Sequence, residues 1–190
     1  MLNKLKVSVL GATGVVGQRF LTLLNNHPWF EVVDIAASKY SENKPYHEAV
    51  KGKWALKENI PDYANNLILR NVEDFKKIPK NVKIIFSAVD FPQKESTRNF
   101  EFKYAKKGYA FISTSSANRK IKNVPMIIPE INYEHLKIIK YQQNYNNLPK
   151  NGFVCVKPNC SIQSYIFVID ALKKSNYKIK KIQVTTLQAL

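Results

Sequence analysis

Leu5-Lys6-Val7-Ser8-Val9-Leu10-Gly11-Ala12-Thr13-Gly14-Val15-Val16-Gly17 is the stretch whose reading decides the fold. Its first six residues alternate and then turn apolar, as in a strand whose far end is buried. The glycines at 11, 14 and 17 follow at once, and Val16, Phe20, Leu23 and Leu24 recur at helical spacing through Asn25. Strand, glycine loop and helix in that order form a variant of the dinucleotide-binding fingerprint. Gly11 permits the tight turn, Gly14 lets a pyrophosphate approach the backbone, and Gly17 lets helix pack on strand. A ligand-free structural turn competes for the glycines alone; the flanking strand and helix favour nucleotide binding.

Working outward, Glu31–Ala36 reads as a second strand. In an NAD-preferring unit its end would carry an acidic residue for the ribose 2'-hydroxyl. Here the end is Ala36-Ala37-Ser38-Lys39-Tyr40-Ser41, and a hydroxyl followed by a cation suits a 2'-phosphate, so the expected cofactor is NADP. Asp34 competes for the ribose but lies within the apolar run. Residues 41–66 are polar and irregular, with Trp54 a packing residue. Val82–Ala88 is a strand whose end, Ser87-Ala88-Val89-Asp90, falls where doubly wound sheets bind ligands. Lys94–Lys107 reads as a helix and Tyr109–Ser113 as a strand. The next residues, Thr114 to Arg119, put hydroxyls and a planar cation at another strand end, where Arg119 suits a phosphate or carboxylate as well as bare solvent. Val124–Glu130 is extended, and Asn132 is expected to cap a helix through Tyr141.

Gly152–Val156 is a short apolar strand, broken by Lys157-Pro158-Asn159-Cys160-Ser161. Pro158 discourages helix at Lys157, and Asn159 can cap a helix that begins just after it. Ile162, Tyr165, Ile166, Ile169 and Leu172 then recur at helical spacing. Cys160 thus falls in a first helical turn, where unpaired N–H groups and the macrodipole favour thiolate over thiol. A small buried hydrophobe is the bland alternative for any cysteine. The last run, Ile179–Leu190, alternates like a strand. Strands and helices alternate throughout, which predicts an α/β protein with a Rossmann-type, doubly wound, mostly parallel sheet.

Composition narrows the function classes. A 190-residue chain with 45% hydrophobic residues holds one full domain with a real core. The net charge of +16 comes from scattered lysines, with arginine only at Arg19, Arg70, Arg98 and Arg119. No recognition motif accompanies it, so specific nucleic-acid binding is not expected. Cys155 and Cys160 are too few for a disulfide framework and only half of a usual zinc set, so no metal is expected. With no signal peptide and no apolar run of about 20 residues, the expectation is a soluble, cytoplasmic protein without a membrane partner.

Taken together, Leu10–Phe20, His27-Pro28-Trp29-Phe30, Ala36-Ala37-Ser38, Ile127–Asn132, Pro158-Asn159-Cys160-Ser161 and Thr185–Ala189 resemble the aspartate-semialdehyde dehydrogenases, in particular their archaeal and fungal-like branch. The resemblance implies NADPH-dependent reductive dephosphorylation of L-4-aspartyl phosphate to aspartate semialdehyde, on the route to lysine, threonine and methionine. It implies Cys160 as nucleophile, Asn159 and Gln188 as substrate contacts, and Arg119 at the phosphate. Thr13, Gly14, Val15 and Val16 match the pyrophosphate loop, Ser38 with Lys39 or Ser41 the 2'-phosphate contact, and Ser87 the strand end near the nicotinamide ribose. It further implies inorganic phosphate as co-substrate, a homodimer or homotetramer if full length, and a division into a nucleotide-binding domain (1–156) and the start of an α+β catalytic domain (157–190). Lys157 departs from the family's usual asparagine, and a nearby ammonium favours the thiolate further.

The family chain runs well past Leu190 to a histidine base and a carboxylate-binding arginine, so a fragment is expected. His27, His47 and His135 read as structural or solvated and do not replace that base. A malonyl-CoA reductase-like enzyme and an inactive nucleotide-binding fragment are the alternatives; an N-acetylglutamyl-phosphate reductase would place Gly and Tyr beside the cysteine, where Asn159 and Ser161 stand.

Overall fold

The computed structural model describes residues 3–187. Strands β1 (Leu5–Leu10), β2 (Phe30–Ala37), β3 (Leu69–Asn71), β4 (Val82–Ser87), β5 (Ala110–Ser113) and β6 (Phe153–Val156) form one sheet in the order β3-β2-β1-β4-β5-β6, with every pairing parallel. That is the order of the dinucleotide-binding doubly wound sheet. Between the strands lie α1 (Val15–Leu23), the single-turn α2 (Tyr46–Ala49) and α3 (Asp62–Asn65), then α4 (Lys94–Lys106), α5 (Pro129–Asn132), α6 (Ile139–Tyr145) and, after β6, α7 (Cys160–Lys174).

Successive strand residues point to opposite faces, and the core divides accordingly. Val7, Val9, Ile35 and Ala37 join Leu21 and Leu24 of the α1 segment on one face. Leu10, Ala36, Ile85, Phe111 and Val154 join Phe100, Tyr104 and Ala105 of α4 on the other. Because both faces are covered, the strands carry near-continuous apolar runs.

The edge strand β6 would expose unpaired amides, and two devices cover them. Gln142 of α6, fully buried, donates to Val154 O at 2.9 Å and accepts from Val154 N at 2.8 Å, as a neighbouring strand would. Pro125 and Ile127 then bond Val156 at 2.9 and 3.0 Å. The sheet's one buried ion pair among the described residues lies opposite. Asp34 takes a bidentate bond from Arg70 (2.8 and 3.1 Å) and one from Ser8, its register partner on β1. Asp34 is thus held inside the sheet, away from any ribose.

Several sequence expectations need correction. In α1 the buried positions are Gly17, Gln18 and Leu21, followed by Leu24, whereas Val16 and Leu23 are 49% and 65% exposed; the buried face is one position out of phase with the apolar spacing. Residues 41–66 contain two short helices, and β3 follows them. Asn132 does not cap a helix through Tyr141: its side chain turns back, accepting from Ile128 N and donating to Met126 O, and a 3-10 stretch at Tyr133–Ile138 intervenes before α6. The extended run at 124–130 stops at Pro129, which opens α5. Finally, residues 179–187 form no strand and are exposed. A strand forms only where another can take its backbone hydrogen bonds, and none is alongside among the described residues. Among the described residues no helix is long and apolar enough to cross a membrane.

Candidate functional site

Gly11 adopts φ +72°, and a Cβ there would lie 2.9 Å from Ala88 C. Its N–H and that of Ala12 both reach Ala36 O, at 2.8 and 3.1 Å, so the turn is stitched to the end of β2. Gly17 is tighter still, since a Cβ would fall 2.1 Å from Gly11 O. Gly14 differs: its nearest neighbour would stand at an ordinary 3.6 Å, and the residue is exposed. The first intrahelical bond runs from Gln18 N to Gly14 O, so the N–H groups of Val15, Val16 and Gly17 precede it at the positive end of α1. Gly14, Val15 and Val16 are exposed, and Thr13 is half-buried. These N–H groups, with no side chain at Gly14 to cover them, fit a pyrophosphate.

Gln18 is a brace that the sequence pattern does not reveal. Fully buried, it donates to Thr13 O and Lys53 O at 3.0 and 2.9 Å and accepts from Ala55 N at 2.8 Å, tying the loop to the excursion after β2. Tyr46 adds a bond to Ala12 O at 2.8 Å. The apolar spacing puts Gln18 off the expected buried face, so the sequence carries no signal for it.

Leu10 pairs with Ala36, so the Ser38 turn lies beside the glycine loop on the carboxyl edge. Ser38 and Lys39 are exposed there, Ser41 is half-buried, and Lys39 Nζ stands 5.5 Å over the Tyr40 ring. Ser87 is placed differently from a ligand contact: it is wholly buried, and its Oγ accepts from Val89 N at 3.2 Å. The half-buried Ala88 and Val89 stand nearer the surface.

The third part of the edge is the cysteine. Asn159 caps α7, its Oδ1 accepting from Ser161 N (2.9 Å) and Ser161 Oγ (2.7 Å), with Cys160 Sγ at 3.6 Å. Cys160 is exposed at the first helical position, while Cys155 is buried and its thiol pushed up to about 11 by that burial. Arg119 reaches across from the loop after β5: Nε donates to Lys157 O at 3.1 Å and Nη2 to Thr114 O at 3.0 Å. The Lys157 amine is lowered from its ordinary range by desolvation and by Arg119, with Cys160 opposing. Two cations therefore stand at the entrance to the cysteine helix. Removing the cap, Asn159→Ala, should cost about 1 kcal/mol locally; amide hydrogen exchange in the first turn of α7 is then expected to quicken roughly fivefold.

Gln188 lies outside the described residues. The three histidines bond to backbone: His27 Nδ1 accepts from Trp29 N and Phe30 N, His47 pairs with Asn65 O, and His135 with Met126. Among the described residues no cluster of three or more His, Cys, Asp or Glu could hold a metal.

The glycine loop at the end of β1 and Cys160 beyond the end of β6 thus share one edge, three strand spacings apart, roughly 14 Å. A family profile described as the NAD-binding domain of semialdehyde dehydrogenase matches residues 6–139. The chain belongs to the semialdehyde dehydrogenases. It is 36% identical over 186 residues to the aspartate-semialdehyde dehydrogenase of Archaeoglobus fulgidus, covering 97% of this chain and 50% of that protein. Against the Saccharomyces cerevisiae enzyme of that name the identity is 33%, covering 100% and 51%. The crystal structure of the Candida albicans aspartate semialdehyde dehydrogenase with NADP superposes with a TM-score of 0.75 at 29% identity, covering 90% of this chain and 48% of that one. This semialdehyde dehydrogenase chain spans about half the length of the curated relatives it matches.

Proposed function

We propose that the chain is the nucleotide-binding and nucleophile-bearing half of an aspartate-semialdehyde dehydrogenase, which reduces L-4-aspartyl phosphate with NADPH to aspartate 4-semialdehyde and inorganic phosphate. The observation that carries this reading is the exposed Cys160 at a helix N-terminus, on the sheet edge that also holds the glycine loop. The Cys160 thiolate attacks the acyl phosphate carbonyl; the C–S bond forms, the C–O bond to phosphate breaks, and phosphate leaves from beside Arg119. Bound NADPH would supply hydride. With that hydride and a proton the thioester on Cys160 would be reduced to the aldehyde level, and release of the aldehyde would return the Cys160 thiol. The chain's own residues do the positioning: Asn159 orients the first turn, Lys157 and Arg119 hold positive charge where phosphate departs, and the α1 N-terminus holds the pyrophosphate.

The reading includes a second domain opening at 157, a soluble cytoplasmic homo-oligomer once that domain is present, and a place in lysine, threonine and methionine synthesis. The test is to mix the chain with L-4-aspartyl phosphate generated in situ, without NADPH, and weigh the Cys160 peptide. A gain of one aspartyl group is expected; nucleotide binding without acylation would reduce the chain to a nucleotide-binding module.

Cofactor choice has its own expected result. Ser38→Asp puts a carboxylate where the 2'-phosphate would sit. It should weaken NADPH about 10- to 100-fold, roughly 1.4 to 2.7 kcal/mol, and leave NADH binding unweakened in a nicotinamide fluorescence titration.

A further inference from the structure

Glu101 is wholly buried and takes no part in nucleotide binding or in the chemistry at the sulfur. It projects from α4 beneath the loop that joins β5 to Arg119. One carboxylate oxygen takes the Ser113 hydroxyl and the other the Asn118 amide, so a single side chain grips both ends of the 113–118 loop. The grip is relayed inward. Ser113 Oγ accepts from Ser115 N at 3.0 Å, and Ser115 Oγ accepts from Ala117 N and donates to Asp90, each at 3.0 Å. Arg98, one turn back on α4, holds Ala117 O at 2.8 Å. The residue after Asn118 is Arg119, whose guanidinium bonds Thr114 O inside the loop and Lys157 O outside it. The Ser113 carbonyl itself accepts from Lys157 N at 2.9 Å. The backbone N–H and carbonyl of Lys157, at the entry to the cysteine helix, are therefore held by the loop Glu101 grips and by the residue that follows it.

We propose that Glu101 is a positioning residue: its carboxylate fixes the 113–118 loop, and through it sets Arg119 and the approach to Cys160. The proposal rests on the reading of Cys160 as nucleophile and Arg119 as anion clamp. A filler role is countered by the bonding pattern, because both carboxylate oxygens are used and each takes a donor from a different end of the loop. Asn118 Oδ1 is buried with no hydrogen-bond partner among the described residues. If Glu101 gains a proton on the oxygen that faces Asn118 Nδ2, donor meets donor and that end of the loop must shift before Oδ1 can accept, so the clamp has a second, displaced bonding state. Desolvation, opposed by Ser113 and Asn118 and aided by the nearby Asp90, raises the Glu101 carboxyl to about 7. Asp90 from the loop after β4 and Arg98 from its own helix are the charged groups of this network; β5 and its loop present neutral donors.

The experiment reads the field at the sulfur without substrate or cofactor. Cys160 is alkylated with iodoacetate and, separately, iodoacetamide between pH 6 and 8, and the modified peptide is quantified by mass spectrometry. Both reagents attack the thiolate, so their rate ratio cancels its population and reports the local positive potential. In the native chain the ratio should fall about threefold as pH drops through 7. Glu101→Gln, permanently neutral, should show the low ratio at every pH, and Asn118→Ala, which frees one end of the loop, should lower it at pH 8. If Glu101→Gln fails to fold, Asn118→Ala decides. A Glu101→Gln chain that keeps the native ratio at pH 8, or an Asn118→Ala chain that does, overturns the proposal. Neither result bears on acyl transfer to Cys160, which the aspartyl phosphate experiment tests separately.

Discussion

Cys160→Ser is expected to abolish rapid alkylation of the chain by iodoacetamide at pH 7, leaving a residual rate more than about 100-fold lower. Once Cys160 is gone, Cys155 is the remaining thiol. It lies on β6 at 6% exposure, and burial pushes it up to about 11. At pH 7 roughly one in 10,000 such thiols is ionised, against about 3% for an ordinary exposed thiol. So small a thiolate fraction, with occlusion by the sheet added to it, leaves Cys155 nearly inert at this pH. The residual rate should climb about tenfold per pH unit toward 11. Nucleotide affinity should stay at its native value, because the glycine loop is three strands away. Acyl transfer from aspartyl phosphate should disappear with the thiol. A serine variant that still alkylates quickly would mean that Cys155 is open to solvent and that the sulfur at the helix N-terminus holds no privileged place.

The elements legible in the sequence were those whose residues answer to local rules. β1, β2, β4, β5 and β6 are apolar runs bounded by polar or glycine residues, and the structure places each within a residue or two of its expected limits. α7 begins at Cys160 because Pro158 and Asn159 leave the chain little else to do there. What local pattern could not show was the partner. Residues 179–187 alternate as a strand should, yet alternation describes a surface, and no sheet that would accept it is alongside among the described residues. Likewise Ile162, Ile166, Ile169 and Leu172 keep helical spacing, but α7 buries none of its residues. β3 escaped notice for the opposite reason: it is three residues long, and Arg70 at its centre is polar in sequence. The Arg70 guanidinium is neutralised by Asp34 within the apolar run of β2, a contact 36 residues apart.

The site divides the same way. The places of Gly11, Gly17, Asn159 and Cys160 were legible in the chain because a tight turn or a helix start restricts the residue type there. Their supports were not. Gln18, Tyr46 and Glu101 act through bonds to residues 5 to 37 positions away, and nothing in their immediate neighbourhood distinguishes a brace from a solvated side chain. Ser87 shows the converse. Its place at a strand end is right, but a hydroxyl turned to Val89 N points inward, and sequence position does not carry side-chain direction.

The two inner glycines should separate folding from binding when each is changed to alanine. At Gly17 the added methyl would sit 2.1 Å from Gly11 O and 2.7 Å from Ala12 Cα, both backbone atoms. Gly11 cannot yield, since it is pinned at φ +72° against Ala88 and bonded to Ala36 O. Helix α1 must therefore lift from β1, opening the packing of Leu21 and Leu24 against Val7 and Val9. Such overpacking costs on the order of 3 kcal/mol or more, a large share of a domain's stability. Gly17→Ala should melt well below the native chain and lose nucleotide binding together with the loop. At Gly14 the same methyl meets Gly11 O at an ordinary 3.6 Å, and φ is −81°. Gly14→Ala should therefore melt within about 1 kcal/mol of native. Its methyl stands at the exposed helix start where a phosphate would meet backbone N–H groups, so NADPH affinity should still fall by about tenfold or more. Paired melting curves and nicotinamide fluorescence titrations on the two variants would show it. If Gly14→Ala bound NADPH as the native chain does, the pyrophosphate would have to rest elsewhere than on the α1 N-terminus, whatever the stability of Gly17→Ala.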